Sequence, residues 1–280
     1  MKKFLLFLAA LACSGSLLAA TVDTIQVFSL AMNKNIPCVI ILPDSYHSTG
    51  KRFPVVYLLH GYSGSYANWS ELAPQLHEEA DQYNMILVCP DGGYNSWYFD
   101  SPVNPAIRYE TFVAGELIAY LDSHYRTRAD RRHRAITGLS MGGHGALYLA
   151  IRHRSLYGAA GSTSGGVDIR PFPGKWDIRD VLGDTSCCRS NWENNTVINL
   201  ADSLRPGDLQ LIFDCGVDDF FLEVNRQLHR KLLEHKIDHD YTERPGGHTA
   251  AYWRNSIDYQ LLFFRKYFQA GEGVAEKAGQ

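Results

Sequence analysis

Ser140 stands in Gly138-Leu139-Ser140-Met141-Gly142, between a β-branched run, Arg134 to Leu139, and a helix-forming run, Gly145 to Ile151. A serine with glycine two residues to either side, at a turn from strand to helix, fits the nucleophile-elbow pattern G-x-S-x-G. So sharp a turn strains the serine backbone, and side chains at 138 and 142 would collide across it. The following helix directs its free N–H groups toward the same point, where they favour developing negative charge. The chemistry served by such a pattern is attack of an activated hydroxyl on an acyl carbon.

That attack needs a base, a carboxylate to orient the base, and donors for an oxyanion. After an elbow serine, the acid follows a later strand and the histidine comes near the end of the chain. The run Leu209–Asp214 leads into Cys215-Gly216-Val217-Asp218-Asp219-Phe220. Spacing leaves both Asp219 and Asp218 open as the acid, with the other capping a helix from Phe220. His248, in Pro245-Gly246-Gly247-His248-Thr249, is the expected base, because two glycines give its loop freedom to swing over the sheet edge. His133, His153, His229, His235 and His239 read as solvated surface, and His144 as packed inside the elbow helix. The Met141 N–H is one expected oxyanion donor. The Tyr62 N–H, in Leu58-Leu59-His60-Gly61-Tyr62, is the other, with His60 bracing that loop.

These residues need a frame. Short apolar runs predict strands at 24–31, 36–42, 55–59, 85–89, 135–139, 159–162, 209–214 and 241–243. The middle runs are β-branched without alternation, as in strands covered on both faces. Between them, helices are predicted over 109–125 (stripe Val113, Leu117, Tyr120, Leu121), 220–235 (stripe Val224, Leu228, Leu232, Leu233) and 256–268. Strand–helix alternation implies an α/β fold, a mostly parallel central sheet flanked by helices, entered through a hairpin of the first two strands. Residues 165–207 break this rhythm, with prolines, Trp176, Cys187-Cys188 and Trp192 but little periodicity. They are expected to be an irregular insertion roofing one edge of the sheet.

The 280 residues suit one domain over 21–270, with 271–280 as a flexible tail. Lys2 and Lys3, an apolar run from Phe4 to Ala12 and small residues to Ala20 describe a secretory signal over 1–20, so export to a periplasmic or extracellular space is expected. Cys13 resembles a lipid-attachment cysteine only loosely, because Ala10 and Leu11 fit that box poorly. With 27 basic and 30 acidic residues there is no electrostatic footprint for nucleic acid or an anionic membrane. No integral span is expected, since the leader is too short. Beyond the leader remain Cys38, Cys89, Cys187, Cys188 and Cys215, an odd set that allows at most two bridges. They lack zinc-ligand spacing, so no metal is expected.

Together these motifs resemble the esterase-D-like branch of the α/β-hydrolase superfamily, which includes S-formylglutathione hydrolases, mycolyltransferases, and feruloyl and acetylxylan carbohydrate esterases. The resemblance spans roughly 35–268. It rests on Leu58-Leu-His-Gly-Tyr-Ser-Gly64, Ser96-Trp-Tyr-Phe-Asp-Ser-Pro102, Glu116-Leu-Ile-Ala-Tyr-Leu-Asp122 with Tyr125-Arg-Thr127, Gly138-Leu-Ser-Met-Gly-Gly143, Asp214-Cys-Gly-Val-Asp-Asp-Phe220 and Gly246-Gly-His248. It implies an α/β-hydrolase fold, a serine carboxylic-ester hydrolase working through an acyl-enzyme, and no metal or organic cofactor. The family's G-x-x-D pattern implies Asp219 as the acid. Cytosolic formylglutathione hydrolases tend to carry a cysteine in the early loop, where this chain has Tyr62-Ser63-Gly64.

Trp69, Trp97, Tyr98, Trp176 and Trp253 fall in loops or element ends near the expected site. Their stacking faces suit sugar rings or a phenolic acid, so Trp69, Trp97, Trp176 and Trp253 are expected to bind substrate. With export, this points to feruloyl or acetyl esters on plant polysaccharide, an oligosaccharide or small-molecule ester. The rival readings are a formylglutathione-type thioesterase, a siderophore esterase, an acyltransferase with the same residues, and a non-catalytic carbohydrate-binding protein.

Overall fold

The computed structural model describes residues 20–278, so most of the expected leader, including Cys13, lies outside the described residues. Eight strands form one sheet: β1 (Thr21–Ser29), β2 (Lys34–Leu42), β3 (Val55–Leu59), β4 (Ile86–Pro90), β5 (Arg134–Gly138), β6 (Ala159–Thr163), β7 (Gln210–Gly216) and β8 (His239–Arg244). Their order is β1-β2-β4-β3-β5-β6-β7-β8. The first two pair as an antiparallel hairpin, and β2 joins β4 antiparallel. From β4 to β8 all neighbours are parallel.

The central strands β3, β4, β5 and β6 are buried at every position. Their period of two is still visible in what each side touches. Val55, Tyr57, Leu59, Ile136 and Phe213 belong to the core on one face. Val56, Leu58, Ala135, Ala159 and Ile212 belong to the core on the other. Both faces are covered, which is why the runs carry no polar alternation.

The 109–125 helix has a π turn inside it: Tyr109–Thr111 and Leu117–His124 flank Phe112–Glu116. The Leu222–Glu234 helix buries Val224, Leu228 and Leu232. Leu233, expected on that stripe, is exposed, because one further residue rotates the side chain about 100° away from it. The last helix runs Ala250–Ala278, beginning before the expected 256 and continuing into the stretch expected as a tail. The insertion is largely helical, with Ile178–Leu182, Thr185–Asn195 and Val197–Leu200 inside it. Among the described residues no helix is long and apolar enough to cross a membrane.

Candidate active site

Strand β5 delivers Ser140 to the carboxyl edge of the sheet, and the Met141–Arg152 helix leaves from it. Ser140 has φ 54° and ψ −116°, a conformation that costs on the order of 1–3 kcal/mol for a non-glycine residue. Its surroundings hold it there. The Ser140 N–H donates to the Thr163 carbonyl at 3.0 Å, and the Gly142 N–H to the Leu139 carbonyl at 2.7 Å. A Cβ at Gly138 would lie 2.5 Å from the Gly142 carbonyl, and one at Gly142 would lie 2.3 Å from the Leu59 carbonyl. Both glycines therefore answer close backbone approach.

The imidazole of His248 lies between hydroxyl and carboxylate. Its Nε2 is 2.9 Å from Ser140 Oγ, and its Nδ1 is 2.9 Å from Asp219 Oδ2. A carboxylate only accepts, so Nδ1 carries the proton and Nε2 is left to accept from the serine hydroxyl. The Asp219 side chain is fully buried, and His248 is 16 % exposed. The other oxygen, Oδ1, accepts the Phe221 N–H at 2.8 Å. One aspartate therefore both orients the histidine and caps the turn, and the expected division of labour with Asp218 is not found. Asp218 is exposed, with its N–H donating to the Gly246 carbonyl at 2.9 Å.

Both expected oxyanion donors have free hands. Neither the Met141 N–H nor the Tyr62 N–H donates to any group among the described residues. The loop bearing Tyr62 is braced by His60, which is buried. The Gly92 N–H donates to His60 Nε2 at 2.7 Å, so the ring proton sits on Nδ1 and donates to the Gly61 carbonyl at 2.8 Å. Burial lowers the His60 pKa, favouring this neutral tautomer. His144 packs as expected, with its Nε2 donating to the Asn195 carbonyl at 3.0 Å. Burial drives its pKa down to about 3. The histidines expected as solvated surface are less free: His153 bonds Glu110 at 2.8 Å, and His229 bonds His239 at 2.8 Å.

The tryptophans divide. Trp69 and Trp97 are each 1 % exposed, so they are core residues and do not present a face to a ligand. Trp69 donates from Nε1 to the Leu59 carbonyl at 3.0 Å, and Trp97 to the Trp176 carbonyl at 3.3 Å. Trp69 is buried from the short Asn68–Leu72 helix and Trp97 from a loop, and each indole N–H is satisfied by backbone. Trp253 is half-buried and meets the His248 ring edge-to-face at 4.9 Å. Trp176, from the insertion, stacks on Phe220 at 5.5 Å and 22°. Phe220 in turn lies 4.3 Å from the His248 ring.

Phe220 is 52 % exposed, and its sequence position marks it only as a helix start. The doublet Phe220-Phe221 directly after the acid was the available signal. Also unforeseen is the bond from the Tyr62 hydroxyl to Asp177 Oδ2, 2.7 Å, which ties the loop bearing Tyr62 to the insertion. Hydrogen bonding to Asp177 raises the Tyr62 pKa, keeping the phenol protonated as donor. Trp176 and Asp177 both adopt φ near +51°.

Beneath the site, buried Asp214 of β7 accepts from Thr163 Oγ1 (2.8 Å), Ser256 Oγ (2.6 Å) and Gln260 Nε2 (2.9 Å), and faces Arg244 at 3.6 Å. Among the described residues no cluster of three or more His, Cys, Asp or Glu side chains is arranged to hold a metal ion.

Comparison with known proteins gives a consistent picture. The Esterase family model matches residues 29–264. The chain is similar to Esterase Rv1288 of Mycobacterium tuberculosis (strain ATCC 25618 / H37Rv), 29 % identical over 237 residues, covering 75 % of this chain and 51 % of that one. It thus spans about half the length of that relative. It is also similar to an acetyl esterase of Caldicellulosiruptor saccharolyticus, 28 % identical over 254 residues, covering 83 % and 94 %. Among solved structures, a ferulic acid esterase superposes with a TM-score of 0.77 at 30 % identity, covering 89 % of this chain and 98 % of that one.

Proposed function

From the premise that this chain belongs to the Esterase family and has an α/β-hydrolase fold, we propose that it is a carboxylic-ester hydrolase in which Ser140, His248 and Asp219 carry the reaction through an acyl-enzyme. The observation that carries the reading is the pair of 2.9 Å bonds from His248 to Ser140 Oγ and Asp219 Oδ2. His248 Nε2 takes the hydroxyl proton as Ser140 Oγ attacks the ester carbonyl carbon. The carbonyl oxygen becomes an oxyanion held by the Met141 and Tyr62 N–H groups. His248 returns the proton to the leaving alcohol, and the acyl group stays on Ser140. Water, deprotonated by the same imidazole, then releases the acid. Asp219 holds the Nδ1–H tautomer and stabilises the imidazolium.

For the substrate, we infer an ester with a planar or ring-bearing group, a feruloyl or acetyl ester of plant polysaccharide, taken up outside the cytoplasm. The stacked Trp176–Phe220 pair beside His248 supports this reading. So does the similarity to a protein named ferulic acid esterase and to one named acetyl esterase. Feruloylated and acetylated xylo-oligosaccharides, run beside short aryl esters, test it. Release of ferulate or acetate from the oligosaccharides is expected, and turnover of aryl esters alone would overturn the substrate assignment. Fluorophosphonate labelling of wild type, lost in Ser140→Ala, tests the nucleophile separately.

A further inference from the structure

We propose that Cys187 and Cys188 are a covalent modification site, closing a reversible disulfide between adjacent residues at the start of the Thr185–Asn195 helix. On a regular helix, neighbours i and i+1 point about 100° apart and do not meet. Here they do. The Sγ atoms lie 2.7 Å apart. The cause is local backbone: Cys188 departs from helical geometry, at φ −126° and ψ 32°, at a kink that divides Thr185–Asn195 into two helical pieces. Upstream, Asp184 fixes the turn, accepting the Ser186 N–H on Oδ1 at 2.9 Å and the Cys188 N–H on its carbonyl at 2.8 Å. Gly183, at φ 83°, supplies the space, since a Cβ there would lie 2.7 Å from Cys188 Sγ.

The remaining described cysteines contrast with this pair. Cys38, Cys89 and Cys215 are buried, and burial pushes the Cys38 thiol up to about 12 and raises the other two as well. Thiols so raised are poor nucleophiles. Cys187 is exposed and Cys188 partly so, and the Cys188 thiol is raised first by its hydrogen bond to Cys187, where burial is the first cause for the other three. A disulfide oxidant of the glutathione class supplies the electron acceptor. The Cys187 thiolate attacks one oxidant sulfur and expels one thiol. The Cys188 thiolate then attacks the Cys187 sulfur of the mixed disulfide and expels the second thiol. Two protein S–H bonds and one oxidant S–S bond become one protein S–S bond and two small-molecule thiols. A ring closed between neighbours constrains almost no unfolded chain, so it acts as a local lock on the kink. That kink begins the helix whose Asn195 holds His144 and Tyr148 of the elbow helix at 3.0 Å each.

The test uses the full chain equilibrated with reduced and oxidised glutathione, alkylated without reductant, and digested with trypsin. The peptide from Asp180 to Arg189 carries both sulfurs and no other cysteine. It is expected unalkylated and lighter than the dithiol by two hydrogen atoms, becoming doubly alkylated after dithiothreitol. Two alkylated thiols before reduction, or a lasting glutathione adduct, would overturn the assignment. Cys187→Ser and Cys188→Ser are each expected to unfold at the wild-type temperature and to leave one alkylatable sulfur. A two-hydrogen loss that persisted in either variant would also overturn it.

Discussion

The carboxyl edge of the sheet and the insertion above it face the same histidine, yet they are held in different ways. On the sheet side, Ser140, Asp219 and His248 are fixed by bonds to backbone and buried carboxylate: Thr163 O on Ser140 N, Phe221 N on Asp219 Oδ1, Asp219 Oδ2 on His248. On the insertion side, partly buried Trp176 and exposed Asp177 are held by ring stacking, the bond from Trp97 Nε1 to the Trp176 carbonyl and one phenol–carboxylate bond. Rigid polar positioning suits groups that must meet a transition state within tenths of an ångström. Ring faces tolerate sliding and suit the part of a substrate that does not react. The sheet edge should therefore set kcat and the insertion KM and selectivity.

The largest expected effect breaks the sheet-edge side outright. Ser140→Ala should lower kcat by about 10⁴- to 10⁶-fold, with KM little changed and the thermal midpoint preserved. A loss under tenfold would remove Ser140 from the reaction. Next, Asp219→Asn keeps the shape but favours the wrong imidazole tautomer and should lower kcat by about 10⁴-fold. Asp218→Asn, at an exposed position, should change it by less than threefold, on the order expected for surface substitutions. Steady-state kinetics on one aryl ester compare all three.

Asp214 sharpens the same comparison through stability. It touches Thr163, whose carbonyl holds Ser140, and it joins Arg244 before the His248 loop to Ser256 and Gln260 after it. In Asp214→Asn the charge facing Arg244 is lost and an amide N–H₂ points at groups that donate. Breaking a buried pair this way costs about 3 kcal/mol. For a domain of this size that is a fall of roughly 6–12 °C in Tm by calorimetry. A change under 2 °C would mean the network is not holding the loop.

Much of this frame was legible in the sequence. Every predicted strand exists within a few residues, and the central ones stand out because two-sided burial leaves uninterrupted apolar runs such as Val55–Leu59. Ser140 stands out because Gly138 and Gly142 answer close backbone approach, and His248 because it follows two glycines near the end of the chain. Asp219 was not separable from Asp218 by spacing, since both sit in one turn and only burial distinguishes them. The insertion helices carried no stripe: Thr185–Asn195 buries only Trp192, so no 3.6-residue period marks it. A lone aromatic residue in a loop or at an element end gives no sign of whether it tucks in or stands out, so sequence does not separate buried Trp69 and Trp97 from Trp176 and Trp253.

On the insertion side, Trp176→Ala removes the face that stacks on Phe220 and should raise KM for a feruloyl oligosaccharide about fivefold to tenfold, from roughly 1–1.5 kcal/mol of stacking. Turnover of a short acetyl ester should stay within twofold. Equal losses on both substrates would show that the ring supports His248 and not the substrate.

The smallest effect is the most selective. Tyr62→Phe deletes the hydroxyl's bond to Asp177 and its interaction with Tyr94, and leaves the backbone N–H at 62 in place. If the loop is held chiefly by His60, the oxyanion donor stays where it is, and kcat should fall no more than about threefold. The lost bond, worth about 0.5–1.5 kcal/mol, should instead loosen the insertion, raising KM for the larger substrate while sparing the smaller. A hundredfold fall in kcat would mean that the phenol positions the oxyanion donor, and the division between sheet edge and insertion would have to be redrawn through Tyr62 itself.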